Sequence, residues 1–262
     1  EALEAGDVSD MVCIGYEAGT SVNSADANGS VFIGAFAGDG VTNGQYNVAI
    51  GYAALDAETQ GDRNTAIGYN ALTDQNGVNG EVHNTAVGYI AGHNITTGIN
   101  NTIVGSEAGQ AMTTASSSVA IGRTAGDGIT TGNSNIAIGY LTMNATATGD
   151  YNVAIGNNAG NDLTSGFSNI AIGKNAGEKL TSGQHNVLLG DGAGAGLVGV
   201  GNNVAIGQSA LGLATTDADQ NIAIGNGAMS GNFSTANINY NIAIGTNSQA
   251  GVLTSGAGGA IS

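Results

Sequence analysis

Proline and tryptophan are absent from this chain, cysteine occurs once, and only four of its 262 residues are lysine or arginine. Each scarcity excludes something. A single cysteine, Cys13, leaves no intrachain disulfide framework. Four basic residues against twenty acidic ones give a net charge of −16, so no basic footprint for nucleic acid exists. No apolar run approaches the ~20 residues of a membrane-spanning helix, and no basic amphipathic stretch suits a membrane surface. The three histidines, His83, His93 and His185, form no zinc spacing with the lone cysteine, and no Walker or nucleophile-elbow pattern occurs. Gly-rich sequence near Asp191 lacks the lysine and the strand-loop-helix setting of a phosphate loop. The expectation is a non-enzymatic protein without cofactor or metal. Missing proline is itself informative, because a chain whose every backbone N–H joins a ladder has no place for it.

What is abundant is glycine, at 46 residues, and it is periodic. A phrase close to Asn-(Val/Thr/Ile)-Ala-Ile-Gly ends at Gly15, Gly34, Gly51, Gly68, Gly88, Gly105, Gly122, Gly139, Gly156, Gly173, Gly190, Gly207, Gly225 and Gly245. Most steps are 17 residues, with small insertions after Gly15, Gly68, Gly207 and Gly225. A unit this short cannot bury a face against itself and must stack on its neighbours. Helix is excluded by frequent glycine and by the absence of helical apolar spacing. The spacing predicts an all-β parallel β-solenoid of about 14 coils with a 17-residue repeat. Two extended pieces per coil, the Asn-x-Ala-Ile phrase and a Leu-Thr or Ile-Thr pair, alternate with glycine-marked corners. Residues 1–10 read as a lead-in, 11–250 as continuous repeats, and 251–262 as a tail or the start of a further coil. A start at Glu1 reads as a processed or partial chain.

Strand alternation places the residue before the closing glycine and the residue two earlier on one face. Both are aliphatic or Thr in every copy, so this face is expected inside. The middle residue is Ala in ten of fourteen copies, and no charge occupies any of the three positions. An outward alanine stripe would need cover, and a homotrimer packed along Ala49, Ala66, Ala120, Ala154, Ala205 and Ala243 supplies it. Asn precedes the phrase in eleven copies and is expected to form an amide ladder.

Phrases such as Asn64-Thr65-Ala66-Ile67-Gly68-Tyr69-Asn70-Ala71-Leu72 and Asn47-Val48-Ala49-Ile50-Gly51-Tyr52 resemble repeats of bacteriophage tail fibres and related bacterial surface fibres. They are more distantly similar to the head repeats of trimeric autotransporter adhesins. The resemblance implies a trimeric β-roll displayed outside the cell or on a virion and used for attachment. On that footing the expected function is a structural or adhesive fibre segment, a rigid rod with a possible glycan or protein receptor. Candidate receptor contacts are the exposed-type aromatics Tyr52, Tyr69, Tyr89 and Phe233, with the insertions Gly19–Ser30, Thr73–His83 and Met229–Tyr240. Two alternatives share the architecture: a self-assembling extracellular filament subunit, and an ice-binding β-solenoid presenting the column Thr42, Thr59, Thr96, Thr113, Thr130, Thr164, Thr181 and Thr215. The loop Asp74–Glu81 clusters oxygen ligands of the kind calcium takes, but its spacing matches neither an EF-hand loop nor the glycine-aspartate nonapeptide of calcium β-rolls.

Overall fold

A computed structural model describes residues 10–22, 29–213, 218–231 and 238–249. Every regular element among the described residues is a β-strand. The chain divides into two compact units, Glu1–Thr131 and Gly132–Ser262. In the first, the strands Val12–Ile14, Val31–Ile33, Val48–Ile50, Thr65–Ile67, Thr85–Val87, Thr102–Val104 and Val119–Ile121 pair in parallel in chain order. In the second, Ile136–Ile138, Val153–Ile155, Ile170–Ile172, Val187–Leu189, Val204–Ile206, Ile222–Ile224 and Ile242–Ile244 do the same. Register follows the repeat, with Ala49 beside Ala66 and Ala154 beside Ala171. Each unit is thus a parallel β-solenoid, as the spacing predicts.

One strand per coil forms rather than two. The Leu-Thr stretch still joins the ladder, since the Thr164 N–H donates to the Thr181 carbonyl at 2.9 Å, but bends interrupt it at once. Beside the insertion at residues 73–83 a second paired segment does appear, Gly61–Asp62 against Gly80–Glu81, and Ile129 and Ala147 each form a single bridge. Corners carry the ladder too. The Gly51 N–H donates to Ile33 O at 2.8 Å and the Asn70 N–H to Tyr52 O at 2.9 Å. This continuity around the coil is why proline has no place here.

The closing glycines are required twice over. Gly51 has φ +135°, a region closed to side chains, and a Cβ on it would run into the carbonyl of Gly68 in the next coil. Other corners of the coil take left-handed backbone at non-glycine residues, and two of them recur in most coils. One precedes the ladder Asn, as at Tyr46 (φ 57°) and Tyr151 (φ 60°); the other follows the closing Gly by two residues, as at Asn70 (φ 50°) and Asn158 (φ 55°). Left-handed backbone costs a non-glycine residue roughly 1–2 kcal/mol, so the stack must offset it with packing and hydrogen bonds.

The two faces of each strand are exchanged relative to the expectation from sequence. The middle residue points inward: Ala49, Ala66, Ala120, Ala205 and Ala243 are 0% exposed and Ala154 is 2% exposed within the single chain. These alanines therefore cannot be the surface that meets partner chains. The large flanking residues point outward, with Ile14 58%, Ile172 38% and Ile244 61% exposed. The cause is the narrow bore of the coil. The middle residue shares its interior with the residue six positions later, and there is room for one large side chain between them. Where the middle residue is large (Phe32, Ile103, Leu188), the sixth residue is Gly38, Gly109 or Gly194. Where the sixth residue is large (Leu55, Leu72, Met143, Leu211, Met229), the middle residue is alanine. A Cβ on Gly194 would sit 2.7 Å from Leu188 Cδ2, which shows that the two positions compete for one space.

Candidate functional site

The asparagine column is interior and structural. In the second unit, Asn169 Nδ2 donates to Gly183 O at 2.8 Å and to Asn152 Oδ1 at 3.0 Å, while its own Oδ1 accepts from the Asn186 backbone N–H at 3.1 Å. In the first unit, Asn47 Nδ2 reaches Gly61 O at 2.8 Å and its Oδ1 accepts from the Asn64 N–H at 2.8 Å. Most of these amides, from Asn47 to Asn203, close their own coil across the bore, and the column holds successive coils in register. The expected ladder is present, with an additional bond to the corner carbonyl that sequence reasoning did not anticipate. Its groups are spent on the scaffold, apart from Asn64 Nδ2, which is buried without a partner.

The aromatic column lies on the outside of the first unit. Tyr16, Phe36, Tyr52, Tyr69 and Tyr89 follow one another with ring centroids 5.4–5.6 Å apart. Tyr52 and Tyr69 are parallel within 12°, and Tyr69 and Tyr89 within 15°. About half of each of these three residues is exposed. Because the rings stack on one another, their faces are largely turned inward along the column, and solvent meets ring edges. Tyr140 is likewise exposed, in the second unit. Phe233 lies outside the described residues, as do residues 23–28 and 232–237 of two of the insertions.

Around the insertion Thr73–His83 the charged groups form pairs. Arg63 bonds Glu81, His83 Nε2 lies 3.6 Å from the same carboxylate, and Arg63 also sits over the Tyr46 ring at 5.8 Å. Arg63 holds the Glu81 carboxyl below its usual range. Asp74, the other end of the loop weighed for calcium, lies 3.7 Å from His93 Nδ1. The two loop-end carboxylates are thus engaged with different partners, and no group of three or more metal-ligating residues occurs among the described residues. His185 is elsewhere, edge-on to Phe167 at 5.2 Å. The structure brings none of the histidines into a shared site.

The threonine column spends its hydroxyls on the scaffold. Thr42 Oγ1 donates to Thr59 O at 3.0 Å, Thr113 to Thr130 O at 3.1 Å and Thr164 to Thr181 O at 3.1 Å. Asn76 and Ala147 interrupt it, and Thr215 lies outside the described residues. An ice-facing array needs those hydroxyls turned to water, which counts against this column in that role.

One residue escaped sequence reading. Glu58 is fully buried in a column otherwise filled by Val41, Ile95, Met112 and Ile129, with Gln75 as its polar neighbour in the next coil. Its Oε1 accepts from the N–H groups of Thr59 (2.8 Å), Gln60 (3.1 Å) and Gly61 (2.8 Å), while Oε2 has no partner. Burial pushes its carboxyl up, against the lowering effect of those three bonds. A polar residue interrupting an apolar column at the 17-residue period was the available signal.

A shallow concavity of about 530 Å³ in the second unit is bordered by Glu178, Lys179, Val198 and Leu213, without convergent polar groups. No described helix is long and apolar enough to cross a membrane. Comparison with protein-family models, with curated proteins and with solved structures returns no match.

Proposed function

We propose that this chain is a non-enzymatic segment of a fibre displayed on a virion or cell surface, which supplies reach and stiffness and assembles as a homo-oligomer, with a trimer the form the tail-fibre resemblance implies. The observation that carries the reading is the uniformity of the coils. The same corner glycine, the same ladder register and, in most coils, the same amide bridge recur from coil to coil, and the polar groups so organised are largely consumed inside the scaffold. An array of this kind resists bending and local opening, because opening one coil breaks ladders to both neighbours. Attachment to a surface glycan is the accompanying role. Its contacts are the edges of Tyr52, Tyr69 and Tyr89, exposed in consecutive coils on a stiff support.

The test is a glycan array probed with the intact chain and with a Tyr52→Ala/Tyr69→Ala/Tyr89→Ala variant. Binding by the first and at least tenfold weaker binding by the second is the expected result. Binding by neither leaves the spacer role and removes the receptor role. Ice recrystallisation inhibition, measured on the same preparations, would instead favour the ice-binding alternative.

A further inference from the structure

Two residues of every three-residue strand point away from the bore, and no charged side chain stands at any of these positions. In the second unit Ile170, Ile172, Ile206 and Ile244 are 36–61% exposed. The first unit turns out the same pair of columns, with Thr65, Thr85 and Thr102 in one of them. Each unit therefore presents two ladders of mostly β-branched side chains, seven coils deep. A contiguous uncharged strip of exposed aliphatic side chains running the length of a unit is the kind of surface that marks an interaction site, since isolated exposed apolar residues are ordinary on a monomer but a continuous patch is not.

We infer that a second copy of this chain covers this face, with the outward Val and Ile ladders of the two copies interdigitating; the inference rests on the fibre-assembly reading and moves its contact from the alanines to the opposite side of the strand. Three features select a copy over another partner. The side chains recur at the inter-strand spacing of about 4.8 Å, and only a surface with the same repeat can fill every gap between them, as in a dry zipper of facing sheets. A chain of net charge −16 repels its copies wherever carboxylates meet, and this face is free of charge. The strip is flanked by Tyr151 and Ser168 on one side and Asn157 and Lys174 on the other, an aromatic and polar rim around an apolar centre.

The test measures the mass of the full chain by sedimentation, as wild type and as two double variants in the second unit. Ile155→Glu/Ile172→Glu places carboxylates in the dry face; Ile155→Thr/Ile172→Thr introduces the residue already accommodated at Thr65, Thr85 and Thr102. An exposed control, Ser165→Glu, lies on the Leu-Thr-Ser-Gly corner, away from the face and its rim. The expected result is an oligomeric wild type and control, a monomeric glutamate variant with unchanged far-ultraviolet circular dichroism, and at least tenfold weaker association of the threonine variant. If the glutamate variant loses its β spectrum, the threonine variant decides alone. An oligomer that both variants leave intact overturns the inference while the fibre reading stands. A monomeric wild type overturns both.

Discussion

At the scale of single residues the scaffold is built from repeated small commitments, and Glu58 is where one is broken. Its column was readable as apolar from Val41, Ile95, Met112 and Ile129, but nothing in composition says what a carboxyl does inside the bore. The structure answers with three backbone N–H groups on Oε1 and an unpartnered Oε2. The carboxyl is held above its unfolded value chiefly by burial. A raised folded value means that the neutral form is the one the fold favours. Its stabilising contribution is complete below the unfolded value, near 4.5, and is lost as pH rises through the folded value. Glu58→Gln keeps an acceptor for the three N–H groups and removes the charge; Gln75 shows that an amide fits this column. The expected outcome is a variant whose melting temperature exceeds that of the wild type at pH 7 by a few degrees, with the gap closing at pH 4. A gap that stays constant with pH would mean that the buried carboxyl is not what titrates.

At the scale of the coil, the sequence makes the period legible because the backbone enforces it. The closing glycine is demanded by φ and by the neighbouring carbonyl, and Asn by the amide bridge, so both recur whatever the side chains around them do. Which face lies inside was not legible from hydrophobicity, because both faces are apolar. Size decides it instead: a bore this narrow takes the alanine and expels the isoleucine, inverting the habit of placing the larger aliphatic residue in the core. The clue was present as the exchange of bulk between the middle residue and the sixth residue after it, which makes sense only if both point inward. That exchange yields a prediction. Leu188→Ala removes a fully buried side chain and should cost about 2–5 kcal/mol in urea unfolding. Gly194→Leu alone should also destabilise, since its Cβ meets Leu188 Cδ2 at 2.7 Å. The double variant recreates the Ala66 and Leu72 pairing and should recover most of the loss. Additive losses would show that the two positions do not share one space.

At the scale of the whole molecule, the dominant imbalance is electrostatic. Twenty acidic residues face four basic ones, so attractions that salt would weaken are few and repulsions many, and among the described residues no carboxylate stands in the three-residue strands. Such a chain is held soluble by the charge that also strains its compact state. Screening reaches only ~30 Å at 0.01 M salt and tightens to ~8 Å at 0.15 M, so corner carboxylates several coils apart interact at the first concentration and hardly at the second. Raising sodium chloride across this range should therefore raise the melting temperature. It should also strengthen association through the outward Val and Ile face, because apolar contact is not weakened by screening while repulsion between copies is. Both responses are read from one series, with thermal unfolding by circular dichroism and mass by sedimentation at each salt concentration. A melting temperature that falls with salt would mean that pairs such as Arg63 with Glu81 outweigh the general repulsion. A rise in stability with falling association would place charge–charge attraction, and not the apolar ladders, at the contact between copies.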